Sequence, residues 1–170
     1  MRNILIVIAL VAFGSVGYAY RSTAQSTGIV ASPGIETLVR QALEDRLAAG
    51  DFPDRNLLGS ARRIAIREEM PQARMKLGAG ALPQQDGYEF YLISEKAAQV
   101  EADSGGHFVH FITVDEASID EDTATVWLGV DFVFRHDPKL LKMCCCKGLG
   151  RFQRIDGRWT FVKWAIRVCS

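Results

Sequence analysis

Residues 124–134 alternate without a break. Ala124, Val126, Leu128, Val130, Phe132 and Phe134 fall on one side; Thr125, Trp127, Gly129, Asp131 and Val133 fall on the other. A period of two over eleven residues predicts a β-strand with one face buried. A strand with one apolar face needs partners beside it and a layer above it. The flanking sequence supplies the partners. Phe108, His110, Ile112 and Val114 alternate with Val109, Phe111 and Thr113, and residues 119–122 (IDED) read as a turn. Residues 144–155 and 158–169 form two further strands joined by Asp156-Gly157, a two-residue hairpin signal.

The covering layer is a helix over residues 35–49. Ile35, Leu38, Val39, Ala42, Leu43 and Leu47 make one stripe at helical spacing. Ser32 is placed to cap it, Pro33 fits its first turn, and Gly50 is placed to end it. Arg40 and Glu44 stand four apart on the wet face. Between helix and meander the text is harder to read. Ile64 and Ile66 alternate with polar residues, which fits a short strand or a helix from Ser60. Residues 88–93 (YEFYLI) have strand composition, and Ser94 can cap a helix that ends at Gly105-Gly106. The expected fold class is α+β: a helix packed on a curved antiparallel meander.

This organisation resembles the nuclear transport factor-like group of cystatin-like folds. The residues that carry the resemblance are GRFQRIDGRWTFVKWAIRV, with its Asp-Gly turn followed by Trp159, and the preceding strand DTATVWLGVDFVF. The likeness spans residues 88–169, with residues 35–49 as the helix. It implies a cone of sheet wrapped around the helix. Members of the group include isomerases, dehydratases, hydrolases and proteins without chemistry, so the resemblance implies fold more than function.

The first 24 residues route the chain. Arg2 precedes an uncharged, mostly apolar run to Tyr20, and small residues at 17–19 and 22–24 offer cleavage sites. The run reads as a signal peptide or as a short membrane anchor. Residues 25–34 read as a linker, and residues 35–170 as a single domain. Basic and acidic side chains number 20 each, which leaves no electrostatic footprint for nucleic acid. Any membrane contact is expected through residues 1–24 alone. A local excess of Arg62, Arg63, Arg67, Arg74 and Lys76 over Glu68 and Glu69 could meet anionic headgroups, or be an exposed face of a soluble domain.

An exported chain with four cysteines (Cys144, Cys145, Cys146 and Cys169) fits disulfides. If Ile155 pairs with Arg158 and the register runs unbroken, Cys144 lies opposite Cys169 on a close rung. A bulge would shift that register, and Cys146, two residues along the same face, is the competitor. All four as buried thiols is the remaining alternative. No Cys-x-x-Cys spacing points to zinc, no phosphate loop follows Gly78-Ala79-Gly80, and no serine sits in a nucleophile elbow. The sequence calls for no cofactor.

Tyr88, His110, Trp127 and Asp131, with Glu89 beside them, are the candidate ligand-pocket residues. A histidine with a carboxylate could act as base and orienter; a half-buried histidine and a solvated aspartate read equally from the same residues. The leading expectation is a non-catalytic cell-envelope module that binds a small apolar ligand or a protein partner. The alternatives are an acid–base isomerase or hydrolase in the cone pocket, and a purely structural envelope protein.

Overall fold

The computed structural model describes residues 29–134 and 145–169. The segment read as signal or anchor lies outside them, as do the expected strand end at 135–138 and Cys144. The chain forms an α+β fold. Helix α1 (Pro33–Ala49) starts where expected: the Ser32 hydroxyl accepts from the Ile35 N–H at 3.4 Å, and Gly50 ends the helix at φ 74°. Leu38, Val39, Ala42, Leu43 and Leu47 are buried. Each of the leucine and valine side chains contributes roughly 1.5–3 kcal/mol on burial, against about 0.2–0.5 kcal/mol for a pair such as Arg40 and Glu44. The apolar stripe therefore decides where α1 lies.

Among the described residues the strands are β1 (Ile29–Val30), β2 (Arg63–Arg67), β3 (Glu69–Met70), β4 (Met75–Lys76), β5 (Glu89–Ile93), β6 (Val109–Asp120), β7 (Thr123–Val133), β8 (Cys146–Ile155) and β9 (Arg158–Cys169). Helix α2 (Glu95–Gly105) joins β5 to β6 and is capped by Ser94, whose hydroxyl accepts from the Ala97 N–H. The main sheet has the order β5-β2-β6-β7-β8-β9, and a small sheet has the order β1-β4-β3.

The expected antiparallel meander holds from β6 to β9. The first half differs, because β2 runs parallel to both β5 and β6. The α2 crossover returns the chain to the starting edge, so β5 and β6 share a direction and β2 slots between them. Residues 29–34, expected as linker, belong to the fold instead. Ile29 and Val30 pair with Met75 and Lys76, the Ala31 N–H donates to the Lys76 carbonyl at 2.8 Å, and Ser32 to Gly34 start the helix.

The two helices sit on separate apolar clusters. The α1 cluster includes Ile64, Ile66, Ile112, Val114, Val126, Leu128, Val130, Phe152 and Trp159. Ala98 and Ala102 of α2 meet Ala65, Ile93, Val109 and Phe111, which have the opposite phase in their strands. Toward β8 the α1 side carries Gly148 and Gly150. A Cβ on Gly148 would lie 2.6 Å from the Trp164 ring, and one on Gly150 would lie 2.8 Å from Phe152. The missing side chains let aromatic rings lie across β8 and close the core. Among the described residues no helix is long and apolar enough to cross a membrane.

The disulfide corrects the sequence expectation. At the Asp156-Gly157 turn both residues have positive φ, 50° and 79°, and Ile155 pairs with Arg158 as expected. Two bulges then add Val162 and Ala165 to β9. Together they move the partner of Cys169 by two positions, from Cys144 to Cys146. Cys146 and Cys169 form the bridge, with Cα atoms 4.1 Å apart.

Candidate functional site

The structure separates the four pocket candidates. His110 pairs with Phe132 across the β6–β7 ladder, and Asp131 pairs with Phe111. Directly opposed residues share a face and neighbours alternate, so His110 and Asp131 point to opposite sides of the sheet. The Asp131 carboxylate accepts from the Phe132 N–H at 2.9 Å. A His110–Asp131 dyad is therefore not formed. Trp127, between Glu116 and Leu149, also lies on the face away from α1. Tyr88 lines a small recess of about 40 Å³ with Leu47, Arg55 and Gln85. Glu89 is exposed and pairs with Arg63 at 3.4 Å.

His110 does line a cleft, of about 210 Å³. Its origin is topological. The parallel ladder between β2 and β6 has only two rungs, Ala65↔Phe111 and Ile66↔Ile112. Upstream of them the two strands part, and the cleft opens between their starts. Leu57, Leu58, Ala61 and Ile64 form an apolar wall, Phe108 and His110 a second, and Arg63, Tyr91 and Glu101 a polar mouth.

The aromatic wall is held in place by its neighbours. Phe108 stacks on Phe134 with centroids 4.3 Å apart, meets Phe132 edge-on at 5.3 Å, and lies 6.0 Å from the His110 ring. Such pairs contribute roughly 0.5–1.5 kcal/mol beyond area burial. Desolvation holds the His110 pKa below its ordinary 6.5, so the imidazole is neutral near pH 7. Among the described residues it has no hydrogen-bond or ion-pair partner. At the mouth, desolvation first, and then the Glu101 carboxylate, push the Tyr91 hydroxyl above its ordinary 10.0. The Arg63 guanidinium lies 4.4 Å over the Tyr91 ring. The cleft can therefore seat a small apolar body against carbon and offer the neutral imidazole of His110 for a hydrogen bond, with the His107 ring also in its lining. It has no carboxylate poised to orient that imidazole.

Sequence reasoning missed a second polar constellation. Asp115 is the extra residue of a bulge in β6 and is 5% exposed. Its carboxylate meets Arg67 at 3.1 Å and Lys147 at 2.6 Å. Arg67 also donates to the Glu69 carbonyl and pairs with Glu95 at 3.7 Å. Thr113, Gly129 and Lys147 form one row across β6, β7 and β8. A Cβ on Gly129 would lie 2.7 Å from Cγ of Lys147, so the glycine lets Lys147 cross β7 toward Asp115. The only sequence signal was charge inside strand patterns.

Carboxylates engage three of the five cations counted between residues 62 and 76. Arg67 is buried against Asp115, Arg63 pairs with Glu89, and Lys76 pairs with Glu68 at 2.9 Å. Among the described residues no group of three His, Cys, Asp or Glu side chains is placed to hold a metal. The chain matches no family model, no curated protein and no solved structure.

Proposed function

We propose that the protein is a non-catalytic binding module of the cell envelope, which takes a small apolar ligand in the cleft between β2 and β6. The observation that carries this reading is the unpartnered neutral imidazole of His110 set into a wall of Phe and Leu side chains. Ligand sites pair apolar walls with a few polar groups that fix orientation. The volume, about 210 Å³, is below the roughly 300–1,000 Å³ that suits drug-sized molecules. The ligand is therefore one or two fused rings, or a short acyl chain. The Cys146–Cys169 bridge supports an oxidising, exported location, in keeping with the leader-like first 24 residues. One helix against the β6–β9 meander supports a nuclear transport factor-like reading of the fold. The isomerase or hydrolase alternative would require a carboxylate beside His110.

The test is titration of the two-ring, polarity-sensitive fluorophore 1-aminonaphthalene into the full chain. Saturable enhancement at one site is expected, abolished by Leu57→Arg and weakened by Phe108→Ala. Enhancement that is unsaturable, or unchanged in both variants, would refute the cleft as the binding site.

A further inference from the structure

The outer face of β6–β9, away from α1, carries a trough of about 550 Å³. One row of its floor crosses all four strands: Ser118, Thr125, Arg151 and Lys163. Arg151 and Lys163 stand directly opposite each other, and both are exposed. Like charges directly opposed in a ladder are destabilising. Yet neither cation has an ion-pair partner among the described residues. On the same strand as Lys163, by contrast, Arg158 lies 3.9 Å from both Glu44 and Asp45. Asp120, at one end of the trough, is the acidic group in its lining and makes no ion pair with either cation. The Ser118 and Thr125 hydroxyls are hydrogen-bonded to each other at 2.8 Å. On the rim the bulged Val162 is 55% exposed, and one row along the same face Ile166, paired with Leu149, is 46% exposed.

We propose that this trough docks an acidic, partly apolar segment of a partner protein. The unneutralised pair calls for carboxylates, and Val162 and Ile166 call for apolar side chains between them. The four strands span about 14 Å at their usual spacing. An extended chain covers that with about four or five residues. A flat bilayer does not enter a concave trough. A second copy would bring the same cations face to face. An acidic polysaccharide would leave Val162 and Ile166 uncovered, and Phe152, the ring in the trough's lining, is buried and not open to stacking. The trough lies on the opposite face from the Phe108–His110 wall, so the two proposals stand or fall separately.

The test uses fluorescence anisotropy of a labelled octapeptide of alternating Glu and Val with the full chain. Binding is expected at about 50 mM salt and is weakened at about 300 mM. Arg151→Glu with Lys163→Glu should lower affinity about tenfold or more, and should transfer preference to a second labelled octapeptide of alternating Lys and Val. Arg151→Gln with Lys163→Gln removes the like-charge pair, so it should fold at least as well by circular dichroism while losing the peptide. Equal binding by parent and both variants would overturn the proposal. So would an anionic-lipid vesicle or a sulfated polysaccharide that binds through these residues when the peptide does not.

Discussion

Asp115 shows how much can rest on one side chain. It holds two cations at once, one of them, Arg67, only 8% exposed. Removing the acid leaves buried positive charge uncompensated, which typically costs about 3–5 kcal/mol. Asp115→Ala should therefore lower the urea midpoint sharply. The apolar triple replacement of Arg67, Asp115 and Lys147 should come out near parent stability, because it removes the desolvation penalty along with the attraction. A triple variant as unstable as Asp115→Ala would mean that the network is needed for the bulge itself. His110 makes a pH prediction. Its pKa is lowered in the fold by desolvation, so the unfolded chain takes up the proton first. Its contribution is full above the unfolded value near 6.5 and is lost as pH falls through that value toward the folded one. Parent protein should lose more stability than His110→Phe between about pH 7.5 and about pH 5. Parallel losses would remove His110 as the source.

At the scale of elements, register is the decisive quantity. The Asp156-Gly157 turn sets where β8 and β9 begin to pair, and two bulges decide where they end. Cys146→Ser and Cys169→Ser should each cost about 2–4 kcal/mol. The double variant should cost no more than either single one, and Cys144→Ser should keep the bridge. A bridge that persists in Cys146→Ser, seen by thiol labelling without reductant, would restore the unbulged register. The helices were legible because caps and stripes are local: Ser32, Gly50 and Ser94 did what their chemistry prescribes. The parallel placement of β2 was not legible. Nothing within Arg63–Arg67 encodes which strands will flank it.

For the whole molecule the question is what keeps a six-stranded open sheet from pairing with its neighbours. At the β9 edge the answer comes from α1. The outward N–H of Trp159 donates to the Gln41 side-chain oxygen at 2.8 Å, and that of Phe161 to the Asp45 carboxylate at 3.3 Å. The middle of β9 is tied down as well: the Trp164 indole donates to Asp51 at 3.1 Å, and Arg46 lies 3.6 Å over the Phe161 ring. Capped donors and bulges are how edge strands avoid edge-to-edge association. Gln41→Leu with Asp45→Leu should therefore make the protein associate with rising concentration in light scattering, and should destabilise it by about 1–3 kcal/mol through unsatisfied N–H groups. A variant that stays monomeric at all concentrations would show that the bulges suffice.

The chain's own text determined its elements and their faces, because strand alternation, helical stripes, caps and the Asp-Gly turn are written within a few residues of one another. His110 was legible as half-buried for the same reason. Only the tertiary structure decided which cysteine meets Cys169, which side of the sheet Asp131 takes relative to His110, and that Asp115 gathers Arg67 and Lys147. Each of those depends on a bulge or a crossover. One inserted residue, or one parallel neighbour, changes every long-range pairing beyond it while leaving the local pattern unchanged.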